Sequence, residues 1–360
     1  MWLDLALVFG VPGANATPMN AQNGWRHLSC FAYCLPMARH HLVPQTYLRR
    51  FANEKKYLVM VPRDDITTPR SVTVNNACNQ AGFYEIPTDD LEVEAREGHD
   101  PEQVESILAV IENESKQYID EILNGVFPPS PESRFRLSMY VAFQITRGWG
   151  FRRKMDEVAE LVAPYYVEMH ASPERIRGIL RRQGRPHGPT DVDNMIARLV
   201  GPDGLRPVLR QGHYVQNMLE LAMNLLPLLY QRVWRLLDFR EPMLLTSDEP
   251  VAVRRSGAAG GIADSRAIWF PLDRQHALAF TQGGIEGIVP SARTRANQIN
   301  SIIANQAHRW IFHHPDDNPL AGLEIGPRMM LVEEVVDVKA DGDTIRELVR
   351  LVERPVERAE

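Results

Sequence analysis

Apolar positions recur every three or four residues along Glu102–Leu123, where Val104, Ile107, Leu108, Ile111, Tyr118, Ile119 and Ile122 share one side. That spacing predicts an amphipathic helix. Glu132–Met155 reads as a second helix. Its stretch Phe135–Ile145 is apolar on nearly all faces, which places it centrally, and Gly148 and Gly150 mark a bend or its end. Asp156–Gly184 is helical in pattern, with breaks expected at Pro164 and Pro173. Arg185–Pro207 carries Gly and Pro punctuation around a short helix and suits an insertion or linker. Tyr214–Leu237 is the longest apolar-rich segment and predicts a core helix kinked or split at Pro227. A short amphipathic helix is expected over Gln45–Ala52, after the Pro44 turn.

Strand patterns are concentrated elsewhere. Tyr57–Val61 and Ser71–Val74 flank a turn-rich loop. After Asp238 come short strands at Met243–Thr246, Val251–Val253, Ala267–Phe270 and Ala277–Thr281, with a Gly-rich loop at Gly257–Gly261. Ser291–His308 reads as a helix, Trp310–Phe312 as a strand, Met329–Val338 as a strand and the region Thr344–Leu351 as a short helix. The expected class is α+β, with a helical body packed on a small, mostly antiparallel sheet drawn from the second half.

Composition narrows the picture. A chain of 360 residues with 44% hydrophobic and 24% charged content can bury a real core. A net charge of −6 lacks the basic field of a DNA-coating protein, although arginines cluster at Arg147, Arg152 and Arg153 and again across Arg175–Arg185. Three cysteines, Cys30, Cys34 and Cys78, argue against a disulfide framework and for a reducing cytoplasm. No apolar run reaches the roughly 18–20 residues of a membrane helix, so no membrane partner is expected. Residues 1–36 hold only Asp4 and Arg26 as charges and no helical or strand period; they read as a non-native upstream extension or a leader, with Met37 as the start. Residues 37–315 then form one domain and 316–360 a C-terminal extension.

Four groups of residues suggest chemistry. His40 and His41 precede a Pro44 turn and Gln45; on a strand the two rings face opposite ways, so one could enter a pocket as metal ligand or proton carrier. The plain alternative is a histidine pair that only pins the turn. Asp248, in Thr246-Ser247-Asp248-Glu249-Pro250, could be a metal ligand, a general base or the orienting partner of a histidine, or simply an Asx-type turn. Gln144 and Arg147 share a face of the most apolar helix. A guanidinium there needs an anion: Asp248, another internal carboxylate or a substrate phosphate. Asn297 and Asn300 share a face of the late helix and could position a substrate or satisfy backbone groups. His313-His314-Pro315-Asp316-Asp317 reads as a solvated turn, and the Gly-rich loop lacks a phosphate-loop pattern.

Together these residues resemble a bacterial domain family of unknown function, number 4238. The likeness rests on the opening His40-His41-Leu42-Val43-Pro44-Gln45-Thr46-Tyr47-Leu48-Arg49-Arg50-Phe51-Ala52, then Phe83-Tyr84, the helix from Glu112, the Gln144 and Arg147 pair, Thr246–Val251, Phe270-Pro271-Leu272 and Asn300–Phe312. It runs from Met37 to about residue 315 and implies a bacterial intracellular protein with no established activity. A looser likeness to HNH-type nucleases rests on the paired histidines before a proline. It departs from that pattern because a helix follows Pro44 and no later Asn-then-His pair stands at an obvious spacing, His99 being the next histidine after Asn75, Asn76 and Asn79. The expected site is one pocket in which His40, His41 and Asp248 are catalytic and Gln45, Gln144, Arg147 and Asn300 bind substrate. The expected function is metal-assisted hydrolysis of a phosphate-bearing substrate, nucleic acid among the candidates, with a divalent metal as candidate cofactor. The alternative is a non-enzymatic binding module of a mobile-element or defence system.

Overall fold

Among the described residues, eight helices and several small, mostly antiparallel sheets make this an α+β fold. The computed structural model describes residues 39–91, 99–200, 207–255, 257, 261–341 and 344–356. The expected upstream extension at residues 1–36, with Cys30 and Cys34, lies outside the described residues, as does most of the Gly-rich loop.

The strands are β1 (Arg39–His41), β2 (Tyr57–Pro62), β3 (Arg70–Thr73), β4 (Asn79–Ala81), β5 (Val233–Phe239), β6 (Thr246–Ser247), β7 (Ala252–Arg254), β8 (Ala267–Pro271), β9 (His276–Thr281), β10 (Gly287–Ser291), β11 (Trp310–His313), β12 (Met329–Asp341) and β13 (Thr344–Pro355). The helices are α1 (Gln45–Leu48), α2 (Gln103–Leu123), α3 (Pro131–Thr146), α4 (Trp149–His170), α5 (Pro173–Arg182), α6 (Pro189–Val200), α7 (Gln211–Gln231) and α8 (Arg293–Gln306). One sheet has the order β10-β5-β9-β8-β7, antiparallel except for the parallel β10–β5 pair. A second has the order β3-β2-β11-β6 and is antiparallel throughout. β1 pairs with β4, and β12 with β13 in a long hairpin.

Period-two alternation divides both sheets between two cores. Trp234, Leu236, Ile268, Phe270, Leu278 and Phe280 face a core shared with α2, α3 and α7. Leu237, Phe239, Trp269, Ala277 and Ala279 face the other way and pack on Ala296, Ile299, Ile303 and Ala304 of α8. In the second sheet, Leu58 and Phe312 join the first core and Val61 and Ile311 the second. Alanines at 277, 279 and 296 let α8 lie close to the sheet. Each large fully buried ring, such as Trp234 or Phe280, contributes roughly 1.5–3 kcal/mol by burial alone.

Several expected elements differ in the structure, each for a local reason. The helix expected over Tyr214–Leu237 ends at Gln231, and Val233–Phe239 is strand β5. Arg134 takes the carbonyls of Tyr230 and Arg232 at 3.2 Å, while the Arg232 guanidinium leaves the helix path to reach the carbonyls of Ile262, Ala263 and Ser265 at 2.9–3.1 Å. Pro227 and Pro164 both sit inside helices that continue past them. The helix expected over Glu132–Met155 is two helices, broken at Arg147-Gly148. The helix expected at Thr344–Leu351 is β13, whose backbone groups are satisfied by β12. His313 and His314 are buried rather than solvated; His313 belongs to β11 and its Nδ1 lies 2.8 Å from the His314 carbonyl.

Arg232 holds the Ile262–Ser265 turn with its buried guanidinium, and burial lowers its pKa. Arg232→Met should therefore cost about 2–4 kcal/mol in denaturant unfolding, because it strands several buried carbonyls at once.

Candidate functional site

Two polar clusters occupy the junction of helices and sheets. The first surrounds Arg147, at the C-terminal end of α3. Its guanidinium is buried and donates from Nε to the Tyr84 hydroxyl (3.1 Å), from Nη1 to Glu112 Oε1 (2.6 Å) and from Nη2 to the His41 carbonyl (2.5 Å). The Tyr84 hydroxyl returns a bond to the Arg147 carbonyl at 3.0 Å. Burial opposes the charge on Arg147, but Tyr84 and Glu112 outweigh it and raise its pKa. Glu105 accepts from the His41 backbone, and burial raises its pKa. His40 stacks on Tyr84 with centroids 5.4 Å apart and accepts from the Tyr84 N–H at 2.8 Å. His41 places Nε2 2.9 Å from Gln45 Nε2, and its ring also bonds the Asn75 backbone. Burial lowers the pKa of both histidines, so both favour the neutral form.

The second cluster is the Asp248–Glu249 elbow after β6. Asp248 is buried and accepts from three backbone amides, His308 (2.8 Å), Arg309 (2.7 Å) and Trp310 (3.1 Å). Burial nevertheless pushes its pKa up to about 6. Glu249 accepts from Gly150 N at 2.7 Å, in the first turn of α4. A side chain on Gly150 would put a Cβ 2.8 Å from that carboxyl, and Gly148 is similarly close. Two glycines and a helix N-terminus thus admit one carboxyl. Burial, and then the charge of Asp248, push Glu249 up to about 8. His308, stacked on Trp149 at 6.0 Å, is driven down to about 4 by burial and by Arg328, Arg309 and Arg153.

Glu249 lines a cavity of about 150 Å³. Five cations share its wall: Arg63, Arg153, Lys154, Arg255 and Arg328, against the carboxyls of Glu249 and Glu353. Glu353 of β13 bridges Lys154 (2.9 Å) and Arg255 (2.6 Å). Burial would raise the Glu353 pKa, but these two cations hold it below the usual value; burial, then Arg255, lowers that of Lys154. Asp64 pairs from outside the wall with Arg63 and Arg328, and Glu157 with Arg153. Even with these counted, cations outnumber carboxylates. Gln144 also lines the cavity, 2% exposed, and neither of its amide atoms has a hydrogen-bond partner among the described residues; nor has Arg153 Nε.

The expected residues therefore separate. His40, His41, Gln45 and Arg147 meet in the first cluster. Arg147 is answered by Glu112, an internal carboxylate, rather than by Asp248. Gln144, three residues before Arg147, lines the cavity instead. Asn300 is buried and accepts from Leu245 N (3.1 Å) while donating to the Met243 carbonyl (2.7 Å), which anchors the segment leading into the Asp248 elbow. Among the described residues no group of three or more His, Cys, Asp or Glu side chains could hold a metal ion. Sequence reasoning did not single out Glu249, Lys154, Arg255 or Glu353. Gly148 and Gly150 around Trp149 were the available signal for a close approach to that helix end, but nothing in the chain named the visitor.

A family model described as protein of unknown function (DUF4238) matches residues 39–317. No curated protein and no solved structure matches the chain. The cavity draws Arg328, Met329, Leu331 and Glu353 from beyond the matched residues. No helix among the described residues is long and apolar enough to cross a membrane.

Two outcomes are expected. Arg147→Met should destabilise the fold by about 3–5 kcal/mol in urea unfolding, since it leaves Glu112 and the His41 carbonyl without their cation. Glu249 keeps its proton in the folded state up to about pH 8 but releases it in the unfolded state near its ordinary value of 4.5. The native state then binds more protons across that interval, so this group's contribution to stability falls as pH rises through it. Thermal melts from pH 6.5 to 8 should show a shallower decline for Glu249→Gln than for the unaltered protein.

Proposed function

Since the chain belongs to the DUF4238 family, whose description assigns no function, we propose one from the cavity: it binds a small phosphate-bearing ligand there. The observation that carries this reading is the excess of cations on the cavity wall. Several like charges held together in partly buried surroundings repel one another, and an anion between them relieves that repulsion. Arginine suits phosphate because its fork of donors matches the oxygens, and Lys154 adds a point charge. A volume of about 150 Å³ takes a phosphate group and a few attached atoms.

A hydrolytic role is favoured by one further observation. Glu249, protonated around neutral pH, lines the same cavity and could donate its proton to a leaving alkoxide oxygen as water attacks phosphorus. Glu249 takes the proton-donor role in this reading because it lines the cavity, whereas His40 and Asp248 are not among the lining residues and accept from backbone amides elsewhere. We further place the protein in a reducing, cytoplasmic setting, a reading supported by the free, buried Cys78.

Titration calorimetry of the full chain with inorganic phosphate tests the binding reading. Saturable binding is expected, weakened about tenfold or more in Lys154→Met and screened by added salt. A protein that ignores phosphate while binding a single-stranded oligonucleotide would shift the reading to nucleic acid and away from this cavity.

A further inference from the structure

The β12–β13 hairpin pairs with itself along its length, from Met329 opposite Pro355 to Asp341 opposite Thr344. Its hold on α4 is a short series of polar contacts. Leu331 N donates to Glu157 at 3.1 Å, the Met329 carbonyl accepts from Arg153 at 2.8 Å, and Glu333 accepts from the Tyr165 hydroxyl at 2.6 Å. Glu334 keeps to the hairpin and pairs with Arg350 and Arg354. Glu353 does not: it reaches the cavity wall, where Lys154 Nζ (2.9 Å) and Arg255 Nη1 (2.6 Å) both close on its Oε1. Burial works against that charge, but the two cations outweigh it and keep Glu353 ionised. Two cations gathered on one carboxylate oxygen are what a bound anion would need. The hairpin lies beyond residues 39–317 matched by the family model, whereas Lys154 and Arg255 lie within them.

We propose that Glu353 is an internal ligand of the cavity: the C-terminal hairpin seats its carboxylate in a phosphate subsite formed by Lys154 and Arg255, and phosphate binds by displacing it. The inference rests on the anion reading above and adds the seat of the phosphate and its regulation. A phosphate carries more charge than a carboxylate and has several oxygens, so it can answer each cation separately where Glu353 shares one oxygen between them. Releasing Glu353 breaks no backbone ladder, because the strand pairs lie within the hairpin. The cavity is open to solvent on one side, so the freed carboxylate regains its water. Competition of this kind is reciprocal. Whatever factor the seated carboxylate takes from phosphate affinity, bound phosphate takes from the hairpin's hold on α4.

Calorimetry with inorganic phosphate on the full chain and two variants tests this, together with hydrogen exchange. Glu353→Gln removes the competing charge and should bind phosphate about tenfold more tightly than the unaltered protein. Glu353→Asp keeps the charge but withdraws it by one methylene from the two cations, and should bind about threefold or more tightly. In the unaltered protein, saturating phosphate should speed exchange of the Leu331 amide, which Glu157 holds. Equal or weaker binding by Glu353→Gln would overturn the inference and leave the anion site standing, with Glu353 as a builder of that site. Tighter binding by Glu353→Gln beside an unchanged Glu353→Asp would overturn it too, since charge in the neighbourhood and not occupancy of the seat would then be the cause. Leu331 exchange that phosphate leaves unchanged or slows would count against it in the same way. Binding by the variants alone would support it, as a seat fully blocked in the unaltered protein. If Glu353→Gln does not fold, Glu353→Asp and the Leu331 exchange decide on the same terms. No binding by any of the three proteins would remove the anion reading and this inference with it.

Discussion

The Asp248–Glu249 elbow ties the two halves of the molecule together, and the candidate site depends on it. Asp248 gathers the amides of residues 308–310 and so fixes the turn between α8 and β11. Glu249, the next residue, points at the first turn of α4 and caps Gly150. Two adjacent carboxyls thus hold one element of the sheet half and one of the helical half. Burial raises both pKa values, and the charge of Asp248 adds to the rise at Glu249, which is the electrostatic cost of using carboxyls as clamps. Because α4 begins there, Arg153 and Lys154 on its second turn fall beside the cavity. The site is a consequence of the clamp.

Arg147 shows the other way a buried charge can be accommodated. It has a carboxylate, a phenol and a carbonyl within hydrogen-bond distance and keeps its charge. That fully answered cation is a fold anchor, joining β1, α2 and α3. Of the cavity cations Arg63 is likewise answered, by Asp64 and the Asn305 and Gly326 carbonyls, but Lys154 and Arg255 share the one carboxylate of Glu353, and Arg153 Nε has no partner among the described residues. The contrast between satisfied and partly satisfied charge separates the structural cluster from the candidate binding surface.

Much of the architecture was legible because the relevant signals are local. The 3.6-residue period gave α2, and short apolar runs bounded by turn residues gave β8 and β9 within a residue of their bounds. The failures share a cause. Val233–Phe239 and Thr344–Pro355 hold enough apolar residues to read as helix, and only cross-strand partners far away in sequence make them strands. For the site, paired histidines, Gln144, Arg147 and Asp248 stood out by type. What the chain could not display was which of them share a cluster: Arg147 and Gln144 lie three apart, yet one enters the anchor and the other the cavity. Glu353 and Arg255, far apart in the chain, become neighbours only when the β12–β13 hairpin packs beside α4.

The central claim is that the space between Gln144, Arg153, Lys154 and Glu249 is an anion site. Anomalous diffraction from crystals soaked in tungstate, a heavy tetrahedral oxyanion, tests it most directly. The account predicts an anomalous peak in the cavity, within hydrogen-bond reach of Arg153 or Lys154. A cavity without a peak, in crystals whose tungstate sits elsewhere on the surface, would contradict it.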